Sequence, residues 1–407
     1  MKNQELINKY KTPFYLYDIP ELKKRVDMMR AYQKDIGLCY AMKAAPLLAG
    51  YIAPYVDRLE VCSPGEYEIC LRDGISPEKI LVSGVNKTEE SMKRILSMGG
   101  SAGLFTIESP EHFRILDKVS KELSSDDSLR CFVRLTSGNQ FGVDKSTLEE
   151  LCKNVIDSEH LTLVGIHFFS GTQKNIKKIE NELTELTEYG RTLSEALSQE
   201  LALEYGPGLG IDYFKSDQDT AESLFRYNES DLALLMDVVE RTGLRNSFRE
   251  ITFEYGRYIA ATCGKYYTGV ADVKENDGIN YAVLEGGLHQ ITYYGSMSGM
   301  KVPPIELIPK QEAAESETGE ENDFRDYVLA GSLCSVNDIL VRRISLRRLD
   351  IGDTLCFNLT GAYAATEGIA LFLSRDLPAI VIRDINGSEK LVRKHTETNI
   401  YNGGYHG

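Results

Sequence analysis

The sequence lacks the cysteine spacing of a structural metal site. Its eight cysteines are scattered through apolar segments and no two of them form a CxxC pair, which argues against a zinc site or a disulfide framework. A run of about 18 uninterrupted apolar residues, which a membrane span needs, is also missing. The first residues, MKNQEL, lack the apolar stretch of a signal peptide. We therefore expect no metal, no membrane partner and a cytoplasmic location.

Positive charge is scarce relative to negative charge. Lysine and arginine number 46 against 61 aspartates and glutamates, a net charge of -15, which removes the electrostatic basis for binding nucleic acid. A small anion can still bind in a locally basic pocket. The sequence also contains neither a Walker loop nor a GxGxxG pattern in a first strand-to-helix turn, so two common nucleotide-binding signatures are missing. Tryptophan is absent, and this excludes nothing.

The sequence does contain a regular alternation of strand-like and helix-like segments. Eight short apolar runs with strand character are separated by segments with helical periodicity or strong charge. The runs cover residues 38–43, 59–63, 80–85, 102–107, 131–135, 163–170, 201–206 and 251–254. Eight strands alternating with helices over about 220 residues predict a (β/α)₈ barrel, an α/β fold. A doubly wound open sheet would also alternate, and the number of strands favours the barrel.

After residue 257 the helical periodicity disappears. Strand-like runs at residues 266–273, 281–285, 328–330, 354–357 and 379–383 have no comparable helices between them, which predicts a mostly β domain. We expect the strand-like N-terminal run at residues 12–18 to join it. The predicted domains are therefore a barrel of residues 30–260 and a β domain of residues 1–29 and 261–407. The polar, acidic stretch at residues 309–323 predicts a solvated surface loop, with a docking element as the alternative.

Polar residues stand where the predicted barrel strands end, which is where barrels of this class place their active sites. They are Lys43, Arg134, His167, Ser170, the glycine-rich loop at residues 206–210 and the segment 254–257. Lys43 follows a buried strand, where desolvation favours the neutral amine that Schiff-base chemistry with a carbonyl cofactor requires. A lysine that merely reaches solvent from a strand end is the alternative for this residue taken alone.

The loop Gly206-Pro207-Gly208-Leu209-Gly210 can bring backbone N–H groups close to a phosphate. Taken alone, it is also the pattern of a tight turn. Arg257 in the next loop could bind the same phosphate through two hydrogen bonds. His167 could stack on a flat cofactor or be a hydrogen-bonded core residue, and a buried Glu254 needs a partner such as a protonated ring nitrogen. Together with Lys43, these groups fit pyridoxal phosphate.

Several short motifs resemble those of one enzyme family. They are Tyr40-Ala41-Met42-Lys43-Ala44, residues 60–66, residues 167–173, Glu254-Tyr255-Gly256-Arg257, Gly331-Ser332-Leu333-Cys334 with Asp338, and Gly361-Ala362-Tyr363. In these motifs the sequence resembles the fold-type III, alanine-racemase-like enzymes that use pyridoxal 5'-phosphate, and within them the ornithine, arginine and diaminopimelate decarboxylases. The resemblance covers almost the whole chain. It implies a barrel with a mostly β C-terminal domain, amino-acid decarboxylation, and a homodimer with shared active sites.

The resemblance also implies a role for each matching residue. Lys43 carries the cofactor through a Schiff base, His167 stacks on the cofactor ring and Glu254 holds the ring nitrogen. The other implied cofactor-binding residues are Ser170, Gly206, Gly208, Gly210, Gly256, Arg257 and Tyr363. The partner subunit's Cys334 is the implied proton donor, and the implied substrate contacts are Arg134, Ser335 and Asp338.

Departures from the family pattern bear on the substrate. Diaminopimelate decarboxylases carry a glutamate directly after the motif cysteine, where this chain has Ser335, and an arginine shortly after Gly-Gly-Met, which residues 285–292 lack. Three other features, the motif from His167 to Gln173, Glu60 in place of the usual aspartate and a loosened cysteine motif, look more like a smaller branch. That branch includes the butirosin-pathway decarboxylase, which acts on glutamate thioesterified to an acyl carrier protein. We therefore expect an amino acid tethered to an acyl or peptidyl carrier protein. The alternative is free diaminopimelate or a basic amino acid such as lysine or ornithine.

Two related kinds of protein fit the sequence less well. An alanine racemase would share the fold and the lysine but not the motif around Cys334, and a regulatory relative without cofactor would not need Lys43 or His167. Pro207 removes one N–H donor from the expected phosphate loop. The arginines 342, 343, 347 and 348 are expected on a solvated face of the β domain, with the docking of an acidic carrier protein as the alternative.

Overall fold

The structure is a computed structural model that describes residues 3–122, 128–214, 229–293, 302–310 and 323–403. The strands are β1 (Phe14–Asp18), β2 (Gly37–Ala41), β3 (Arg58–Val61), β4 (Ile80–Val82), β5 (Leu104–Ile107), β6 (Leu129–Leu135), β7 (Leu161–Phe169), β8 (Ala202–Gly206), β9 (Glu250–Tyr255), β10 (Gly264–Asn276), β11 (Ile279–Leu284), β12 (Ile305–Ile308), β13 (Phe324–Ala330), β14 (Ile339–Arg347), β15 (Thr354–Asn358), β16 (Ala379–Arg383) and β17 (Glu389–Arg393). The α-helices are α1 (Asn3–Tyr10), α2 (Ile19–Tyr32), α3 (Ala49–Ile52), α4 (Pro64–Arg72), α5 (Glu89–Ser97), α6 (Pro110–Lys121), α7 (Lys145–Asp157), α8 (Ile176–Leu197), α9 (Glu229–Thr242), α10 (Arg257–Ala260) and α11 (Asn399–Asn402).

The chain forms two compact units. The barrel unit comprises residues 23–211 and 227–259, and the sheet unit comprises residues 1–22, 212–226 and 260–407. The domain boundaries drawn from the sequence, at residues 30 and 260, stay predictions. Within the described ranges, no helix is both long enough and apolar enough to cross a membrane. The cytoplasmic location also stays a prediction.

The barrel unit is built on a closed ring of eight parallel strands, β2 to β9. The ring closes where β9 pairs with β2, with Cys39 opposite Glu254, and this pairing excludes the open sheet. All eight strands lie within a few residues of the predicted apolar runs, and the predicted (β/α)₈ barrel is confirmed. Because helices cover the outside and side chains fill the inside, such strands are buried on both faces and read as short apolar runs.

Helices follow the strands where the sequence supplies good caps. Ser63, Thr88, Ser109, Asp144 and Asn175 each stand at a helix N-cap, and each side chain accepts a hydrogen bond from the backbone N–H three residues later. Such caps satisfy N–H groups that the helix itself leaves unpaired. They fix where each helix begins, and so determine the length of the loop between strand end and helix that carries the functional residues.

The sheet unit is a nine-stranded sheet with the order β14-β13-β11-β10-β1-β16-β17, to which β15 is joined through β10 and β12 through β15. Strand β1 runs antiparallel to β10 and parallel to β16, so the expectation that the N-terminal strand joins the β domain is confirmed. Its core includes the Phe14 and Tyr267 rings, which stack with centroids 4.6 Å apart. The predicted acidic loop at residues 309–323 lies largely outside the described residues.

Three strands of the sheet unit, β12, β14 and β17, were not predicted from the sequence. Residues of β14 alternate only partly between buried and exposed positions, and the side chains of Arg342, Arg343 and Arg347 are exposed. Arg343 pairs with Asp326 of the neighbouring strand. These charged side chains hide the strand pattern, because period-2 alternation of apolar residues is the main sequence signal of a half-buried strand.

Candidate active site

Lys43 lies at the carboxyl end of β2, in a single 3₁₀ turn of residues Met42–Ala44. Its Nζ donates to Glu60, at 2.9 Å from Oε2 and 3.3 Å from Oε1. The neighbouring strands bring the two side chains together, because Ala41 of β2 lies opposite Glu60 of β3. The Lys43 side chain remains 40% exposed, so it is less desolvated than the sequence led us to expect.

Glu60 is the buried partner in this ion pair, with a side chain 3% exposed. Its Oε1 accepts a hydrogen bond from Ser83 Oγ and a longer one from Cys62 Sγ at 3.4 Å. Burial disfavours the carboxylate form of Glu60, but the charge of Lys43 and the hydrogen bonds from Ser83 and Lys43 outweigh burial and hold its pKa well below its usual value. Glu60 is therefore a fixed negative charge that orients the Lys43 amine.

His167 of β7 and Glu254 of β9 meet inside the same ring of strands. His167 Nε2 lies 3.4 Å from Glu254 Oε2, and both side chains are buried. Both ring nitrogens of His167 and Oε1 of Glu254 have no hydrogen-bond partner within the described ranges of the chain. Because buried polar atoms in folded proteins nearly always have a partner, these atoms indicate a ligand-binding position.

The glycine-rich loop follows β8 and packs closely against the loop after β7. Gly208 has a φ of +61°, and a Cβ placed there would lie 2.3 Å from the carbonyl oxygen of Gly171. A Cβ on Gly206 would lie 2.4 Å from the Phe169 ring. Glycine is thus required at both positions, which agrees with a backbone that must approach another group closely. Ser170, at the end of β7, lies beside this loop.

Two charged residues that were not predicted from the sequence, Lys174 and Glu182, lie beside Ser170. The Lys174 side chain is 1% exposed, and its Nζ lies 2.6 Å from Glu182 Oε2 and 2.9 Å from the Gly206 carbonyl oxygen. Ser170 Oγ donates to the other carboxylate oxygen of Glu182. Burial lowers the pKa of Lys174 to about 8, and the negative charge of Glu182 only partly opposes this. The one sequence signal is that Lys174 directly follows the motif at residues 167–173.

Arg134 of β6 is held in a buried ion pair. Its Nη1 donates to Glu108 Oε2 at 2.9 Å, and its guanidinium carbon lies 4.9 Å from the centre of the Phe141 ring. The Nε atom of Arg134 is buried without a hydrogen-bond partner among the described residues. The structure therefore gives Arg134 a protein partner that the sequence did not predict, and its contact with substrate stays a prediction.

Gly256 and Arg257 directly follow β9, where Arg257 begins α10. This places both residues two to three positions after Glu254, at the carboxyl end of the barrel strand, as predicted. Among the predicted residues, the barrel unit thus contains Lys43, Arg134, His167, Ser170, Gly206, Gly208, Gly210, Glu254, Gly256 and Arg257.

The remaining predicted residues, Cys334, Ser335, Asp338 and Tyr363, belong to the sheet unit. Cys334 is exposed and Ser335 is half-buried. Asp338 is buried, and its two carboxylate oxygens accept hydrogen bonds from the backbone N–H groups of Leu288 and Leu333, each at 2.8 Å. Asp338 therefore holds the turn that carries Cys334, which the sequence did not reveal, and its contact with substrate stays a prediction. Tyr363 has a φ of +64°, which is rare outside glycine.

The groups in the barrel unit fit pyridoxal phosphate. They include an amine at a strand end, a loop in which glycine is required, and buried atoms of His167 and Glu254 that lack partners among the described residues. A carbonyl cofactor needs an amine, a phosphate suits a close backbone approach, and a protonated ring nitrogen suits a buried carboxylate. Lys43, the 206–210 loop and Glu254 would meet these three needs.

Comparisons with known proteins agree with this geometry. Residues 20–261 match the family model described as pyridoxal-dependent decarboxylase, pyridoxal binding domain. The chain is 26% identical to the L-glutamyl-[BtrI acyl-carrier protein] decarboxylase of Niallia circulans, over 96% of this chain and 92% of the relative. It is also 26% identical to the diaminopimelate decarboxylase of Aquifex aeolicus, over 96% of this chain and 91% of the relative.

Solved structures show the same fold. The diaminopimelate decarboxylase from Helicobacter pylori, complexed with L-lysine, superposes with a TM-score of 0.82 at 20% identity, over 98% of each chain. The lysine/ornithine decarboxylase from Vibrio vulnificus, complexed with putrescine, gives a TM-score of 0.75 at 16% identity, over 93% of this chain and 96% of that chain. The predicted fold class, cofactor and family are confirmed. Since the family model spans more than half of the chain, the chain belongs to the pyridoxal-dependent decarboxylases, enzymes that use pyridoxal 5'-phosphate to decarboxylate amino acids.

Proposed function

We propose that the protein decarboxylates an amino acid tethered to a carrier protein, with pyridoxal phosphate held at the carboxyl ends of the barrel strands. The observation that supports this location is the buried pair His167 and Glu254. Their atoms without a partner among the described residues lie in the strand ring whose strand β2 leads into Lys43. The bound cofactor supplies an electron sink for the carbanion that forms when CO₂ leaves. The protein groups around it bind, orient and supply protons.

Three barrel residues would hold the reactive part of the cofactor. Lys43 would be the amine that attaches to the cofactor aldehyde, and Glu60 would orient that amine through the contact at 2.9 Å. His167 would lie against a face of the cofactor ring. Glu254 would keep a proton on the ring nitrogen, because a buried carboxylate favours a nearby positive charge.

The loops after β7, β8 and β9 would bind the cofactor phosphate. The residues are Ser170, Gly206, Gly208, Gly210, Gly256 and Arg257. Tyr363 is a further proposed cofactor-binding residue. Loops after the last strands of such barrels commonly bind phosphate. The arginine would add a charge-assisted contact.

The substrate side of the site would involve a second copy of the chain. We propose a homodimer in which the partner subunit's Cys334 donates the proton that replaces CO₂ on the substrate carbon. The exposed position of Cys334, on a turn held by Asp338, supports this role. Arg134, Ser335 and Asp338 are the proposed substrate-side residues, with Asp338 acting through the turn that it holds.

The tethered substrate is proposed from what the chain lacks in its substrate region. Ser335 directly follows Cys334, and residues 285–292 contain no arginine. These two places therefore lack the charged groups that would suit a distal amino-acid centre and a distal carboxylate. A carboxyl group that is esterified to a carrier carries no charge and needs no arginine. The similarity to a decarboxylase of a glutamyl carrier protein supports the same substrate class. Similarity to diaminopimelate decarboxylases supports the alternative, a free diamino acid.

The test is CO₂ release by the cofactor-loaded enzyme. One arm offers free diaminopimelate, lysine, ornithine, arginine and glutamate, and a second arm offers aminoacyl thioesters of a carrier protein. The Lys43→Ala variant is the control for cofactor-independent release. Turnover confined to the carrier arm is the expected result. Turnover of a free diamino acid at a comparable kcat/KM would overturn the tethered-substrate proposal. The absence of CO₂ release in both arms would count against decarboxylation of any of these amino acids.

A further inference from the structure

A buried cation lies beneath the proposed phosphate site. Lys174 Nζ contacts Ser170 Oγ at 3.3 Å and the Gly206 carbonyl oxygen at 2.9 Å, and both residues belong to the proposed phosphate loops. The Lys174 backbone is also fixed to the glycine-rich loop, because its N–H donates to the Gly208 carbonyl oxygen at 2.9 Å. Lys174 is thus hydrogen-bonded, through both its side chain and its backbone N–H, to the segments expected to contact phosphate.

Glu182 of α8 balances this charge. Its carboxylate accepts from Lys174 at 2.6 Å, from Tyr205 OH at 2.7 Å, and from Ser170 Oγ. A serine hydroxyl has a single proton, so the Ser170 proton that points to Glu182 cannot also point to a phosphate. Ser170 therefore has to turn before it can donate to a bound phosphate, and Glu182 loses one donor when it does.

The surroundings of Glu182 lower the free-energy cost of rotating the Ser170 hydroxyl away from it. Ser170 and Glu182 both line a cavity of about 470 Å³, which Lys178 and Glu185 also line. A cavity of this volume, whose lining includes polar and charged side chains, can hold water, and water can replace the hydroxyl that leaves Glu182. Lys174, whose side chain is 1% exposed, has no comparable access to solvent and keeps its position beneath the loop.

We propose that Lys174 is a positioning residue for the cofactor phosphate: it holds Ser170 and the Gly206 loop in place and supplies a positive charge that Glu182 neutralises until the phosphate binds. This inference rests on the proposed placement of the phosphate by Ser170 and the 206–210 loop. It also accounts for Pro207, because a nearby cation compensates for the N–H donor that proline removes.

The experiment compares two ligands that differ only in the phosphate. Dissociation constants of pyridoxal phosphate and of pyridoxal are measured on the apoenzyme by absorbance. The dissociation constant of pyridoxal divided by that of pyridoxal phosphate reports the contribution of the phosphate alone, and is called the ratio below. In Lys174→Met the ratio should fall by about tenfold or more, as expected for a lost charge-assisted contact. Lys177→Met, which removes an exposed lysine of the same segment, should leave the ratio unchanged.

A second variant distinguishes this role from general support of the fold. Glu182→Gln removes the negative charge that competes with phosphate, so the ratio should rise or stay equal while it falls in Lys174→Met. A structural role predicts instead that both variants weaken binding of both ligands by the same factor, leaving the ratio unchanged. That result would overturn the proposal.

A pH series gives a test that needs no methionine variant. The groups that face Lys174 are Ser170, the carboxylate of Glu182, Lys178 and Tyr205, and burial raises the pKa of Tyr205 well above its usual value. Because burial lowers the Lys174 pKa to about 8, the ratio should fall in the wild type between about pH 7 and about pH 9.5, where the phosphate is already a dianion. Lys174→Arg keeps its charge and should show no fall.

A flat wild-type ratio across this pH range would overturn the proposal. The assay uses no amino-acid substrate, so it can fail while the carrier-tethered substrate stands. It can equally succeed while the proposed substrate is wrong.

Discussion

The close approach of the glycine-rich loop to the preceding loop predicts a large effect for one added methyl group. Gly208→Ala places a Cβ 2.3 Å from the Gly171 carbonyl oxygen and 2.8 Å from Lys174 Cε, on a backbone with a φ of +61°. Gly74→Ala is the matched control, because Gly74 has a φ of +76° and a Cβ there would meet nothing within 4 Å among the described residues. Both glycines lie in the barrel unit.

The two variants separate backbone strain from steric overlap. The left-handed conformation of a non-glycine residue costs roughly 1 kcal/mol at either position. At Gly208 the contact with a backbone carbonyl cannot be relieved by a side-chain rotation, and overpacking of this kind costs about 1–3 kcal/mol more. The free energy of unfolding should therefore fall by about 1 kcal/mol in Gly74→Ala and by about 2–4 kcal/mol in Gly208→Ala.

Urea unfolding of the apoenzyme measures the stabilities, and absorbance titration measures binding of pyridoxal phosphate. Gly208→Ala should weaken cofactor binding by at least about tenfold, because relief of the overlap moves the loop that would contact phosphate. Gly74→Ala should bind like the wild type. Equal losses of stability in the two variants, or unchanged cofactor binding in Gly208→Ala, would refute the close approach of the loops and its role in binding.

Three further predictions follow from the site. The Glu60 pKa is held below its unfolded value of 4.5. Its ion pair therefore stabilises the fold fully above about pH 4.5, and this stabilisation is lost as the pH falls through the lowered folded pKa. In Glu60→Gln, the free energy of unfolding measured with urea should decline less at acid pH. Glu254→Gln should retain cofactor binding within a few-fold but lose about 10²-fold or more in CO₂ release. An equal mixture of Lys43→Ala and Cys334→Ala, refolded together, should recover about a quarter of wild-type activity, because half of the random dimers contain one intact shared site.

Each of these has an outcome that contradicts it. Wild-type and Glu60→Gln proteins with parallel acid declines would show that Glu60 is not a charged partner of Lys43. Normal CO₂ release by Glu254→Gln would remove the carboxylate from the proposed ring-nitrogen position. A refolded mixture no more active than its separate components would exclude a site that combines Lys43 of one subunit with the partner subunit's Cys334.

The barrel could be predicted from the sequence because its strands are short, apolar and evenly spaced. Helix α8 (Ile176–Leu197) lies between the apolar runs at residues 163–170 and 201–206, where the alternation of segments predicts a helix. Strand β17 was missed because its residues Glu389–Arg393 are mostly exposed and charged, so they lack the alternation that identifies a strand. Amphipathic periodicity reports burial, and an edge strand exposed to solvent gives little of that signal.

The site could be predicted only in part, since contacts between strands depend on barrel closure. Residues at strand ends, such as Lys43 and Glu254, stood out because a charge after an apolar run is unusual. The pairing of Lys43 with Glu60 depends on the β2–β3 register, and the pairing of Lys174 with Glu182 depends on how α8 packs against the loop after β7. Composition and spacing do not predict such contacts between residues that are distant in the sequence. The hydrogen bonds by which Asp338 holds the Cys334 turn could not be predicted for the same reason.

The central claim, that Lys43 is the cofactor lysine, can be tested by locating the cofactor on the chain. The holoenzyme is reduced with borohydride, digested and analysed by mass spectrometry for the pyridoxyl group. We expect the group on the peptide that contains Lys43, and its absence from that peptide in Lys43→Ala. The rival amine is Lys174, which is buried, has a pKa lowered to about 8 and lies beside the glycine-rich loop. A pyridoxyl group on Lys174, or on no lysine of the barrel unit, would contradict the assignment of Lys43.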